Sequence, residues 1–362
     1  MSDYVSGLRQ DLVEAAARQQ AAGRGARVAR PLRPRAWSPV AALGTVAALA
    51  AAILLVVGLR AVSPPRPPEA PKLLGSFQIG GQPRDAVTAG GRVYVADFTG
   101  GLLQITPDGP RLAMKVTAAV LVSAATDGDA VWVMSVRSDT SGPRSELREL
   151  QASTGRPGAR VPLQRESGPI AVGADGVWLR TTLPTRLARH AGGLERIDLR
   201  THRVTAIAHG EAQDIAASDR SVWTRNGETV TQRDDRGRVM NRVRHLSPSL
   251  GFQGQRTMLA DGDGAWVVGQ SDGLLYRIKS GRVVERLRVG ALSGVIARTR
   301  STVWVTAMSD AGRYQLVRVD PDQGTVTGRL DIGTEEPQSI VPAGKELWVI
   351  TGHGNVRRVS QG

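Results

Sequence analysis

Five histidines, His190, His202, His209, His245 and His353, are the side chains of this 362-residue chain best suited to general acid–base work near neutral pH. Oxygen ligands for a hard cation such as Ca²⁺ would come from Asp85, Glu166, Asp214, Glu335 and Glu336. Basic residues stand near several of these in the sequence (Arg84, Arg165, Arg256), and would pair with or repel such a site. There is no Cys, which excludes a disulfide framework, a thiolate metal site and a Cys nucleophile together. No Walker-type Gly-rich loop, Gly-x-Ser-x-Gly, His-Glu-x-x-His or EF-hand spacing occurs either. No residue is therefore read as catalytic, and no metal or cofactor is called for. Whether any of these groups meet depends on the elements that carry them.

The first of those elements is apolar. Residues 40–59 read VAALGTVAALAAAILLVVGL, with no charge and only Thr45 as a polar side chain. As a helix this run spans roughly 30 Å, the hydrocarbon thickness of a bilayer. Seven Arg precede it, from Arg9 to Arg35, whereas only Arg60 and Arg66 follow closely. That bias predicts a cytoplasmic N-terminus and an extracytoplasmic remainder in a single-pass protein of the cell membrane. The leader is long and the run exceeds a signal-peptide core, which favours an uncleaved anchor. Residues 1–36 are then a cytoplasmic tail in which Val5, Leu8, Leu12, Ala15 and Ala16 recur at helical spacing. This short amphipathic helix is read as lying on the inner membrane surface rather than docking a partner. Residues 37–62 form the transmembrane helix, and Pro-rich residues 63–71 an extended spacer of about 28 Å at most.

Beyond the spacer a short pattern recurs: an apolar residue, then Trp or Tyr, then usually another apolar residue. The aromatics are Tyr94, Trp132, Trp178, Trp223, Trp266, Trp304 and Trp348, spaced 38, 46, 45, 43, 38 and 44 residues apart. A period of this length marks a repeat architecture. Each repeat holds short β-branched runs separated by Gly and Asp turn signals, with no room for paired helices. Four strands per repeat is the content of a propeller blade. The fold class predicted for residues 72–362 is thus an all-β, seven-bladed β-propeller, preceded by a single N-terminal transmembrane helix. The aromatics should fill the spaces between blades, each largely buried on the second strand of its own blade. The seventh repeat lacks a fourth strand, and residues 72–79 are read as supplying it and closing the ring.

The stretch VRVDPDQGTVTGRLDIGTEEPQSIVPAGKELWVITGHGNVRRV, residues 317–359, resembles the repeat of YncE-like (YVTN-type) β-propellers, with its Asp-x-x-x-Gly turn, Pro and aromatic strand. The resemblance covers residues 72–362; repeats four and five match it poorly. It implies an exported propeller, most members of the group lacking a defined activity. Virginiamycin B lyases and calcium-dependent lactonases are related propellers, so it also leaves a surface-tethered hydrolase or lyase as an alternative.

Strand counting places one face as the candidate binding surface. Its rim would carry Arg84, Asp85, Arg165, Glu166, Asp214, Arg256 and Gln338 as ligand contacts, and His190, His209 and His353 also fall there. Three long connections, Val136–Arg144, Thr181–Gly193 and Ser247–Arg256, should project from the same face. The net charge of +14 divides into +5 on residues 1–63 and +9 on the rest, where Arg, Asp and Glu interleave without a basic block. Such dispersal does not favour a nucleic-acid groove. The function expected is non-catalytic binding of a protein or another envelope ligand through this face.

Overall fold

The second strands of the blades are largely buried on both of their faces, and the rest of the architecture follows from that. The computed structural model describes residues 69–361 except 107, 118, 140–141, 164–165, 174, 183–192, 210–211, 249–254 and 292–293. Gly264–Gly269 is buried at every position and Val303–Met308 at all but its last. Such strands read as continuous apolar runs, because both faces meet neighbouring sheets. The outer strand Arg282–Arg288 instead alternates between exposed and half-buried residues, as a strand with one wet side should.

Among the described residues twenty-eight strands form seven four-stranded antiparallel sheets, six in the simple order of the chain and the seventh completed by the first strand. The innermost strands are Pro83–Ala89, Val120–Thr126, Glu166–Gly173, Asp214–Ala217, Met258–Asp261, Ile296–Arg298 and Pro337–Ala343. Each touches the next, and the last touches the first, so they close a ring. The chain is a seven-bladed β-propeller over these residues. Blades four and five, whose turns matched the repeat poorly, are as regular as the others. The expected long loop Val136–Arg144 is instead a strand extension. Ala130–Asp139 and Gly142–Gln151 stay paired out to Asp139 opposite Gly142, so blade two carries a long hairpin beyond the body of its sheet.

The repeated aromatics fill the spaces between blades. Trp132 packs with Ile170 and Val177 of blade three, Trp178 with Ile215 and Val222 of blade four, and Trp223 with Met258 and Val267 of blade five. Trp266, Trp304 and Tyr94 do the same at the next interfaces round the ring. Five of the Trp residues and Tyr94 are at most 2 % exposed. Trp348 departs from the expected burial: it is only partly covered, with Phe77 edge-on at 5.9 Å and its indole nitrogen reaching out to Glu346 at 3.0 Å. A polar anchor at the blade edge holds the ring where part of it stays wet.

Leu73–Gln78 forms the fourth strand of blade seven, antiparallel to Asn355–Ser360, with Phe77 opposite Val356. The joint is reinforced at both ends. The Ser360 amide donates to the Lys72 carbonyl at 2.9 Å, and the Ile79 amide to the Gly354 carbonyl at 2.8 Å. From blade six, Arg318 Nη1 donates to the carbonyls of Glu69 at 2.7 Å and Gln361 at 3.0 Å, so one buried guanidinium holds both ends of the propeller. Residues 1–68, which include the tail helix and the apolar run, lie outside the described residues. Among the described residues no helix is long and apolar enough to cross a membrane.

Two outcomes follow. Trp266→Ala should cost about 3–5 kcal/mol in urea unfolding, and Trp348→Ala less, since Trp348 is only partly buried to begin with. Removing residues 72–79 should lower the melting temperature of the whole propeller by exposing Asn355–Ser360 as an open edge. An unchanged melting temperature after that deletion would show the joint to be dispensable.

Candidate functional site

The innermost strands carry a recurring polar position two residues before the partner of the blade aromatic: Asp85, Ser123, Asp214, Thr257 and Ser339. Each bonds the next or the previous blade. Asp85 Oδ2 accepts from the Ala124 amide at 3.0 Å and from Ser123 Oγ at 3.1 Å, both on blade two. Ser123 Oγ in turn accepts from the Ile170 amide of blade three at 3.3 Å. Asp214 Oδ2 accepts from the Thr257 amide at 2.7 Å and the Thr257 hydroxyl at 2.8 Å, on blade five. Ser339 Oγ donates to the Ala86 carbonyl at 3.4 Å, linking blade seven to blade one. The inner strands lie too close to the axis to bury large side chains, and their exposed amides need acceptors. Short polar residues meet both demands.

Two residues at the start of blade five then cross the axis. Arg256 Nη2 donates to the Ala124 carbonyl at 3.1 Å and lies 3.5 Å from Asp85 Oδ2. Gln255 Nε2 donates to Glu336 Oε1 at 2.8 Å and to the Pro337 carbonyl at 3.2 Å. The cleft bounded by Asp85, Ser123, Asp214, Gln255 and Arg256 encloses about 10 Å³, roughly the room of one water molecule. Beneath Asp214 lies Arg225, opposite it on the adjacent strand and fully buried. Its Nη1 and Nη2 donate to the Val268 and Ser247 carbonyls at 2.7 and 2.5 Å, binding blade four to blade five.

Burial dominates the electrostatics here. It pushes the carboxyls of Asp85 and Asp214 above the ordinary Asp range, against the opposing pull of Arg256 and the amides that bond them. Burial likewise lowers Arg225, with Asp214 the first opposing charge.

Of the expected rim residues, Asp85, Asp214 and Arg256 do converge, but on one another and on neighbouring blades. Arg84 lies elsewhere, its guanidinium 4.5 Å above the Phe98 ring. Gln338 is half-buried beside Gly352. Glu166 opens the inner strand of blade three opposite Thr182, and Arg165 lies outside the described residues. Glu335 is committed to Thr351 and Asn355 within blade seven. His353 is exposed, His202 lies 6.3 Å from Trp132 in a turn, and His190 is outside the described residues. Among the described residues no group of three or more His, Cys, Asp or Glu is placed to hold a metal ion. Most of the connections Thr181–Gly193 and Ser247–Arg256 also fall outside them.

Sequence reasoning missed Ser123, Gln255, Thr257 and Arg225. Arg225 had left a signal: it stands two residues after the blade aromatic, where Ala96, Met134, Val268 and Ile350 are apolar and only Arg180 is also charged. A charge in that register has to be held by buried carbonyls.

No family model matches the chain, and no curated protein matches it in sequence. Solved structures do match in shape. Virginiamycin B lyase from Staphylococcus aureus aligns with a TM-score of 0.59 at 14 % identity, over 81 % of this chain and 100 % of the lyase. A catalytically inactive His-to-Ala form of that lyase with quinupristin aligns to the same extent. A chain of the mitotic checkpoint complex gives 0.60 at 11 % identity, over 80 % of this chain and 95 % of its own length. At such identities the likeness is one of fold.

The raised carboxyls fix the sign of one pH effect. A carboxyl whose folded pKa lies above its unfolded value stabilises fully below about pH 4, and that contribution is lost as pH rises through the folded value. Asp85→Asn removes the dependence but not the packing. The melting temperature of the wild type, taken relative to Asp85→Asn, should therefore fall as the pH rises above about 4. A difference that stays flat or rises would contradict the raised carboxyl.

Proposed function

We propose that this chain is a membrane-anchored, extracytoplasmic β-propeller that acts as a non-catalytic binding module, held in the cell membrane by residues 40–59. The observation that carries the reading is the commitment of the axial charges. Asp85, Asp214 and Arg256 are spent on bonds between blades, in a cleft with room for about one water molecule. A general base needs a free lone pair within reach of a substrate proton, and Oδ2 of each of these carboxylates already takes two donors from the next blade. Recognition then belongs to what stands above the axis. The long hairpin of blade two, paired in register out to Asp139 opposite Gly142, is the best-supported element. The partner class is a protein or other envelope component; the interleaved charge gives no preference for nucleic acid.

The likeness in fold to virginiamycin B lyase favours one second reading, a surface-tethered propeller lyase or hydrolase. A single assay separates the two. Purified full-length protein is incubated with quinupristin and with a panel of lactones, with and without Ca²⁺, and products are followed by mass spectrometry. No turnover is expected under any condition. Turnover that persists in Asp85→Asn and Asp214→Asn would place a catalytic site elsewhere, and turnover lost in them would establish the enzyme reading at the axis. Topology is tested separately by reporter fusions after Gln20 and at Gly362; cytoplasmic signal from both would remove the anchor from the proposal.

A further inference from the structure

In blades two, six and seven an arginine near the outer edge meets a carboxylate. Arg160 bonds Glu146 at 2.7 Å, Arg313 bonds Asp331 at 2.5 Å, and Arg358 bonds Glu346 at 2.6 Å. Blade four departs from this. Its third strand, Thr229–Arg233, and its outer strand, Val239–Val243, put two arginines on one face, because Arg242 stands opposite Thr231 and Thr231 lies two residues before Arg233. That face looks toward blade three: Arg233 is opposite Val222, which packs with Trp178. The outer strand of blade three there, Val204–His209, contains no acid.

Asp234, next in sequence, does not neutralise the pair. Its carboxylate accepts from the Arg236 and Arg238 amides and from Arg238 Nε at 2.6 Å. Gly237, at a φ of 80°, lets this turn press against blade three, where a Cβ would come within 1.8 Å of Ile207 Cγ2. The turn thereby floors the groove, and Arg233 Nη1 donates to the Gly237 carbonyl at 2.9 Å. Arg233 Nε remains buried without a partner. Loss of water, and then repulsion from Arg242, hold Arg233 below the usual guanidinium range.

Two like charges on one face of a sheet, one with an unused buried donor, destabilise the fold unless an anion joins them. We infer that the groove between blades three and four is an oxyanion site, in which a phosphate- or sulfate-type group bridges Arg233 and Arg242. Guanidinium edges match such groups through paired N–H donors. The group is either a free ion or part of an anionic polymer, and the chemistry of recognition is the same for both. This site is independent of the axial face and of the binding role assigned to it.

The test follows melting of the full-length protein in phosphate and in chloride at matched ionic strength. Phosphate should raise the wild-type melting temperature by about 2–4 °C. Arg242 is exposed, so Arg242→Gln leaves the core untouched. That variant should melt above the wild type in chloride, as repulsion is relieved, and should lose the phosphate response. Arg242→Glu should melt higher still, its carboxylate standing in for the anion. An equal phosphate response in wild type and Arg242→Gln would overturn the site, as would an Arg242→Gln protein that melts below wild type in chloride. Linear polyphosphate distinguishes the source. Equal potency per phosphate supports a free ion, and potency about tenfold greater supports a polymer held at several points.

Discussion

Contact between the faces of adjacent blades is the constraint from which this molecule is built. A four-stranded sheet of some forty residues has two apolar faces and cannot bury either alone. Placed in a ring, each sheet covers its neighbour, and the second strand, covered on both sides, is mostly apolar. The Trp on that strand reaches across to the next blade, as Trp132 does to Val177 and Trp223 to Val267. Interfaces of this kind are cyclic, so none is secure until the last one forms. This explains why the bonds at the terminal joint are so numerous. Arg318 gives up its hydration to hold the Glu69 and Gln361 carbonyls, a costly arrangement for a guanidinium, and it does so where the ring would otherwise open.

The axis sets a second demand. Seven inner strands converge there with amides directed at one another, and the space is too narrow for apolar side chains to exclude water. Short polar residues resolve the conflict blade by blade. Asp85 bonds Ala124, Ser123 bonds Ile170 and Asp214 bonds Thr257. The carboxylates are held with raised pKa values because desolvation outweighs their partners. Arg256 and Gln255 then brace blade five against blades two and seven across the centre. Raised carboxyls in a cleft commonly mark chemistry. Here the same shifts arise from a structural network.

This is also why the sequence conveyed fold far better than site. Tyr94 and the Trp series recur at a fixed period because every interface poses the same packing problem. The shortfall of one strand in the last repeat was visible because the blade content is constant. Even the poorly matching turns of blades four and five misled little, since Asp234–Gly237 and Lys279–Gly281 still close hairpins. The axial network has no comparable regularity. Pro169 and Val295 occupy the position held elsewhere by Asp85 and Asp214, and the residues that cross the centre come from one blade alone. Which way a given Asp points, and whether its partner is a ligand or the next strand, depends on distances that spacing does not encode. The hairpin of blade two was misjudged for a related reason. Its tip is polar like a loop, yet its backbone pairs in register out to Asp139.

The central charges Asp85, Asp214 and Arg256 are bonded between blades, whereas the walls carry charges of another kind. The outer strands bear few packing duties, and in several blades their charges are met by a carboxylate on a neighbouring strand, as at Arg313 and Asp331. Where that settlement fails, as for Arg233 and Arg242, stability is lost for no structural return. The same comparison across blades that exposed the repeat thus also exposes its exceptions. In a repeat protein the regular positions report what the fold requires, and a costly irregular one is where a requirement other than folding shows through.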